Sequence, residues 1–130
     1  MSTRCMIGKV YDGKIKAIYC HWDGYPEYTG NILETYYNND EIIDELIDLG
    51  GLSCIRPRIK PNANEEHSFE NPIDDVTIAY HRDRGETKDI YEYKNIDRFL
   101  YELYDSTSWI EYLYLWDNGT WKIYERCDYE

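Results

Sequence analysis

The chain has 130 residues, of which 26 are acidic and 14 are basic, and its formal net charge at pH 7 is −12. That length fits one domain over residues 1–130, and an apolar share of 42% is enough to form a core. A charge this negative disfavours direct binding of nucleic acid, because phosphates require a basic surface.

The first predicted element is a hairpin with strands over residues 5–11 and 15–22. Asp12-Gly13 between them favours the left-handed conformations of a two-residue turn. A loop follows, and a helix is predicted over residues 29–38 with Thr29 as its cap and Tyr36 facing inward. A second helix is predicted from Asn39 or Asp40 to Leu49, since its apolar residues recur at helical spacing.

The second half of the chain alternates irregular and regular segments. The predictions are a short extended piece at 52–55, a long irregular loop at about 56–75, strands at 76–83 and 90–94, a helix capped by Asn95 through Tyr104, and a hairpin of strands 109–116 and 121–127 around Asn118-Gly119. Strands and helices do not alternate strictly. We therefore expect an α+β domain, with a mainly antiparallel sheet of about five to six strands and two to three helices packed on one face.

Two short segments repeat a His-x-Asp pattern, His21-Trp22-Asp23 and His81-Arg82-Asp83. Residues i and i+2 of a strand share a face, so each predicted strand end can present an imidazole beside a carboxylate. We predict that the two strands are near neighbours in one sheet. Converging pairs would suit general acid–base work in a small hydrolase, although no nucleophile accompanies them. The spacing matches no compact metal motif, so we expect neither a metal nor another cofactor.

Three arginines at predicted strand ends suggest a different use of the same region, the binding of a nucleotide or small anion. The candidate ligand-binding residues are Arg4, His21, His81, Arg82, Asp83 and Arg84. Salt bridges to neighbouring acids would explain Arg82 and Arg84 equally well.

A third candidate site combines acidic and aromatic residues. Between Ala17 and Ile55 the chain has eight acidic residues and no Lys or Arg, which would attract a basic partner. The predicted binding residues are Trp22, Asp23, Tyr25, Glu27, Tyr28, Asp40, Glu41 and Asp44. Aromatic residues crowded into one loop are typical of interaction surfaces. The alternatives are that Trp22 and Tyr25 pack into the core and that the acids are a solvated face.

The four cysteines include no C-x-x-C pair, and the first nine residues lack the apolar core of a signal peptide. No apolar run is long enough to span a bilayer. We therefore expect a cytoplasmic protein with reduced thiols and no membrane contact.

The opening Thr3-Arg4-Cys5, residues 21–27 (HWDGYPE) and residues 81–86 (HRDRGE) resemble a group of small acidic proteins from phages and prophages. This resemblance implies a phage context, in which such proteins are often counter-defence factors of the anti-CRISPR kind. We expect a non-catalytic inhibitor that binds a basic surface of a host defence protein, such as a CRISPR effector. A sponge that sequesters a signalling nucleotide and the small hydrolase remain alternatives.

Overall fold

The computed structural model describes residues 2–126, and this part of the chain forms an α+β domain with seven strands and four α-helices. The strands are β1 (Arg4–Tyr11), β2 (Lys14–Cys20), β3 (Leu52–Cys54), β4 (Ile78–Ala79), β5 (Tyr91–Tyr93), β6 (Ile110–Asp117) and β7 (Thr120–Glu125). The helices are α1 (Asn31–Tyr36), α2 (Asp40–Asp48), α3 (Tyr80–Arg84) and α4 (Ile96–Leu100), with a π-helical turn at Pro26–Gly30 and a 3₁₀ turn at Tyr101–Leu103. Cys127, the predicted end of the last strand, lies outside the described residues.

Both predicted hairpins are confirmed. Asp12 and Gly13 have φ values of 52° and 78°, and Asn118 and Gly119 have 52° and 77°, as a two-residue turn with two left-handed residues requires. The first turn joins β1 to β2 and the second joins β6 to β7, in each case without a break in the antiparallel register. Local turn chemistry therefore specifies the two longest pieces of the sheet.

The sheet is mainly antiparallel but larger than predicted, because seven strands in residues 2–126 exceed the expected five to six. Its strand order is β4-β3-β2-β1-β6-β7, and β5 pairs with the first half of β2. The pairs β1–β6 and β2–β3 are parallel. The parallel β1–β6 pairing joins the two hairpins. Two strands that are about 100 residues apart in sequence therefore lie side by side within the sheet.

Helices cover both faces of the sheet, so the prediction that they pack on one face is wrong. α1 and α2 bury Leu33, Ile43 and Leu46 on one face. On the other face, α4 and the 3₁₀ turn bury Phe99 and Leu103. Inner strands with apolar residues on both faces need a helical layer on each side. None of the helices within residues 2–126 combines the length and apolarity needed to cross a membrane.

The helix predicted over residues 29–38 is shorter, because α1 begins at Asn31 and the π-helical turn precedes it. Thr29 does not cap α1; its hydroxyl donates to the Asp23 carbonyl instead. Tyr36 was expected to face inward, yet it is 50% exposed. The Asn39 cap of α2 is confirmed, since its Oδ1 accepts from the Ile42 N–H at 3.0 Å.

The strand predicted over residues 76–83 is mostly absent. β4 has only two residues, and the chain turns directly into α3 at Tyr80. Gly85, with φ of 74°, ends that helix in the left-handed conformation common at helix C-termini. Residues 55–77 hold no helix or strand, only an isolated bridge between Arg58 and Val76.

Candidate functional site

The Trp22–Tyr28 loop leaves the sheet after β2 along a path that Asp23 and Gly24 determine. Asp23 has a φ of 57°, a left-handed conformation that aspartate tolerates better than most residues. The Gly24 N–H donates to the Thr3 carbonyl at 2.8 Å, and a Cβ on Gly24 would lie 2.8 Å from that oxygen. Only glycine permits so close an approach of two backbones.

Three hydroxyl groups then fix the loop to the rest of the domain. They are the bonds from Thr29 to the Asp23 carbonyl (2.7 Å), from Tyr114 to the Gly24 carbonyl (2.6 Å) and from Tyr28 to the Ile55 carbonyl (2.9 Å). Burial raises the pKa of both tyrosines, so their hydroxyls keep their protons and remain donors. The loop is therefore an ordered part of the surface.

The predicted binding residues of this loop divide into an exposed and an anchoring group. Trp22 is 45% exposed, Tyr25 is 36% exposed, and Glu27 is exposed beside them. Tyr28 and Asp23 are half-buried and hold the loop through the bonds described above. The alternative that Trp22 and Tyr25 fill the core does not fit these exposures.

The acidic face of α2 is largely engaged within the protein. Lys9 on β1 places its ammonium 2.6 Å from Asp44 and 3.4 Å from Asp40. Burial opposes ionisation of Asp44, but hydrogen bonds from Lys9 and Tyr11 outweigh it and lower the pKa of Asp44. Two further acids of α2 pair with lysines, in Lys60–Glu45 (3.1 Å) and Lys88–Asp48 (3.7 Å). Three α2 residues were predicted to bind a partner, namely Asp40, Glu41 and Asp44. Of these, Glu41 is exposed and makes no salt bridge within residues 2–126.

The second His-x-Asp segment is a turn of helix, and its two members do not pair with each other. On a helix, residues i and i+2 face different directions. The Nδ1 atom of His81 lies 2.7 Å from the Glu86 carbonyl. Asp83 instead lies 3.2 Å from Nε2 of His67, whose Nδ1 accepts the Ile73 N–H and so leaves the ring proton on Nε2.

This His67–Asp83 pair is buried, with side chains 1% and 4% exposed, and the sequence pattern did not predict it. Asp83 also accepts bonds from the Ala79 N–H at 2.8 Å and from the Arg82 guanidinium at 2.9 Å. Burial alone would raise the pKa of Asp83, but these bonds outweigh burial and lower it. The pair holds residues 55–77 against α3.

The other two charged residues of this segment are also engaged in the fold. Arg82 donates to the carbonyls of Ile59 and Thr77, both at 2.6 Å. Arg84 lies over the Phe69 ring at 4.1 Å and pairs with Glu86. Both arginines therefore form salt bridges with neighbouring acids, as the alternative to ligand binding expected.

The first His-x-Asp segment also lacks the predicted strand geometry, because β2 ends at Cys20 and Asp23 has a left-handed conformation. Nδ1 of His21 lies 2.7 Å from the Tyr19 hydroxyl, and burial together with the Arg4 charge lowers the pKa of His21. β3 lies between β2 and β4, so the two segments flank one strand rather than adjoin. No group of three or more His, Cys, Asp or Glu side chains is arranged to hold a metal within residues 2–126.

A pocket of about 490 Å³ opens on the face of the sheet that α4 partly covers. Arg4, Tyr19, Tyr91 and Trp109 line it, together with the carboxylates of Glu102 and Asp105. The Arg4 guanidinium lies 5.6 Å from the centre of the Trp109 ring. Of these residues only Arg4 was predicted, because the others come from β2, β5 and the segment before β6 and carry no shared sequence motif.

Among the surfaces with exposed aromatic side chains, two are candidate sites, the Trp22–Tyr28 loop and the pocket at Arg4. The first carries the exposed Glu27, and the second combines one arginine with two acidic residues. No protein-family model matches the chain, and neither does any curated protein or solved structure.

Proposed function

We propose that this protein is a phage-type counter-defence factor that binds a basic surface of a host defence protein, such as a CRISPR effector, and inhibits it without catalysis. The observation that carries this proposal is the pair of exposed side chains Trp22 and Tyr25, 45% and 36% exposed on an anchored loop. Aromatic side chains that are already ordered bury a large area at low entropic cost, which is the usual composition of an interface centre.

Charge supports the same partner. The net charge of −12 favours encounter with a basic protein, and residues 17–55 contain no competing lysine or arginine. Because lysines engage most acids of α2, the exposed acids that remain for attraction are Glu27, on the loop itself, and Glu41, at the start of α2. The resemblance of residues 21–27 and 81–86 to small phage proteins supplies the phage context. We place this activity in the host cytoplasm, where a CRISPR effector acts.

A binding measurement against a panel of purified CRISPR effectors tests the proposal. The double variant Trp22→Ala/Tyr25→Ala should lose at least tenfold in affinity for the effector that the wild type binds, since truncating two aromatic anchors typically costs 2 kcal/mol or more, at about 1.4 kcal/mol per factor of ten. Tyr104→Ala is the matched control, because Tyr104 is 76% exposed in a different region.

Salt provides the second arm of the same experiment. Affinity should fall as ionic strength rises, because exposed charges are screened within about 10 Å at 0.1 M salt. Glu27→Gln/Glu41→Gln should weaken binding and flatten its salt dependence. An affinity that does not change with ionic strength contradicts the proposal. So does an equal loss of affinity in Tyr104→Ala.

A second candidate function, sequestration of a nucleotide, is favoured by the pocket at Arg4. The pocket volume of about 490 Å³ lies in the range that small-molecule sites occupy. Arg82 and Arg84 do not line it, so this candidate depends on Arg4 and aromatic residues alone. Intact nucleotide released from the denatured protein after purification from infected or defence-active cells would support it.

A further inference from the structure

We infer that the pocket at Arg4 binds a nucleoside monophosphate, with the base stacked on Trp109 and the phosphate on the Arg4 guanidinium. This inference rests on the second candidate function and names its ligand class. No residue of the Trp22–Tyr28 loop lines this pocket, so the nucleotide site and the proposed protein-binding surface use different side chains.

Arg4 differs from five of the other six arginines that the structure describes; Arg98 likewise has no ion pair within residues 2–126, but it does not line this pocket. Arg58, Arg82 and Arg84 each pair with a carboxylate, and Arg56 and Arg126 donate to backbone carbonyls. Arg4 makes no ion pair within residues 2–126, although the chain has 26 acidic residues. It is half-buried among aromatic rings, where a guanidinium gains from an added anion.

The aromatic residues beside Arg4 offer a stacking surface. Trp109 is 74% exposed, and Tyr91 is exposed at the same pocket. An indole that is 74% exposed, with a cation 5.6 Å from its ring centre, is a ready platform for a heterocyclic base. Stacking of this kind tolerates any base, so the site favours nucleotides as a class.

The two carboxylates limit how much negative charge the ligand carries. Glu102 accepts the Tyr93 hydroxyl at 2.6 Å, and Asp105 accepts the N–H and hydroxyl of Thr107 at 2.9 and 2.7 Å. Their remaining lone pairs accept donors from a ribose or a base, which they are well suited to do. Their charges repel a second and third phosphate, since one arginine cannot neutralise a triphosphate beside two carboxylates.

Titration calorimetry of the full chain tests the site, using AMP and GMP as ligands and adenosine and ATP as controls. Each monophosphate should bind at least tenfold more tightly than both adenosine and ATP. Trp109→Ala should weaken AMP and adenosine by a similar factor of about ten, because it removes the stacking surface that both use. Arg4→Gln should abolish the preference for AMP over adenosine and leave adenosine binding unchanged.

Tyr104→Ala and Lys14→Gln, which change exposed side chains outside the pocket lining, are the matched controls and should bind AMP as the wild type does. Thermal melting of each variant shows whether it is folded. Absence of AMP binding by the wild type, equal affinity for AMP, adenosine and ATP, or unchanged AMP binding by Arg4→Gln overturns the inference. If AMP binds as described but expression leaves the free nucleotide pool of the cell unchanged, the sequestration function fails while the site stands.

Discussion

Two irregular segments border the same sheet, the Trp22–Tyr28 loop and residues 55–77, and different chemistry holds each of them. The first is fixed by neutral hydroxyl and backbone bonds and by the close approach of Gly24 to Thr3. The second has neutral bonds at its two ends, where the Tyr37 hydroxyl donates to the Arg56 carbonyl and the Arg56 N–H donates to the Thr77 hydroxyl, but charged side chains hold the residues between them. A segment held by neutral donors keeps its geometry when pH and salt change, whereas one held by ion pairs does not.

The charged network of the second segment has two centres. At one, Arg58 pairs with Glu65 and Asp75, each at 2.8 Å. At the other, Asp83 receives bonds from Arg82, His67 and the Ala79 N–H. The first centre is partly exposed and contributes little, while the second is buried and so contributes most of the attachment.

The largest expected effect therefore comes from Asp83→Asn. An amide cannot accept all of these bonds, and it leaves the Arg82 guanidinium without its carboxylate, so we expect a loss of about 3 kcal/mol in the free energy of unfolding. Urea denaturation measures the loss, and hydrogen exchange should show faster exchange over residues 55–77 than over the Trp22–Tyr28 loop. Asp74→Asn, an exposed neighbour, is the control and should change little.

Acid should remove the same contribution in the wild type. Because the pKa of Asp83 is lowered in the folded protein, its contribution is complete above the unfolded pKa of about 3.9 and disappears as pH falls through the folded value. The stability difference between wild type and Asp83→Asn should then be constant from pH 7 to pH 5 and shrink below about pH 4. A difference that stays constant down to pH 2 would show that the charge of Asp83 is not the cause.

The next largest effect is expected for Gly24→Ala. The new Cβ would lie 2.8 Å from the Thr3 carbonyl and 2.9 Å from the Cys5 Cβ, so the loop must move away from β1. We expect a loss of about 2 kcal/mol and a displaced Trp22, with residues 55–77 unaffected in hydrogen exchange. Gly13→Ala is the control. A Cβ on Gly13 would have no neighbour within 4 Å, so a loss of stability there comes from backbone strain at its φ of 78° and not from overcrowding.

Tyr114→Phe should have the smallest effect of the set. It removes the 2.6 Å bond to the Gly24 carbonyl and leaves that buried oxygen unsatisfied, at a cost of about 1 kcal/mol. Unlike Asp83→Asn, this loss should be independent of pH between 4 and 8, because a free tyrosine has a pKa of about 10 and burial raises the pKa of Tyr114 further. A pH-dependent loss would break the distinction between the two segments.

Local signals predicted the parts of this fold that local chemistry determines. Asp12-Gly13 and Asn118-Gly119 specify their hairpins, and Asn39 and Asn95 cap their helices. The strand prediction around position 80 is wrong because Val76 to Ala79 favour a strand, while the turn into α3 is accompanied by a bond that the Ala79 N–H donates to the Asp83 carboxylate. Such tertiary bonds leave no local pattern.

The candidate sites divide in the same way. Trp22 and Tyr25 are exposed on a loop whose path adjacent residues set, and their role in an interaction surface stays a prediction. The pocket at Arg4 could not be predicted, since Tyr19, Tyr91 and Trp109 meet only after β1 pairs with β6 and β2 pairs with β5. The His67–Asp83 pair likewise joins residues from two segments with no shared motif.

The most direct test of the proposed function is the efficiency of plating of a CRISPR-targeted phage on cells that express each variant. The wild type and Tyr104→Ala should restore plating, and Trp22→Ala/Tyr25→Ala should lower it at least tenfold at equal protein level. Restoration by the double variant equal to that of the wild type, or failure of the wild type to restore plating against every CRISPR type tested, would contradict the account.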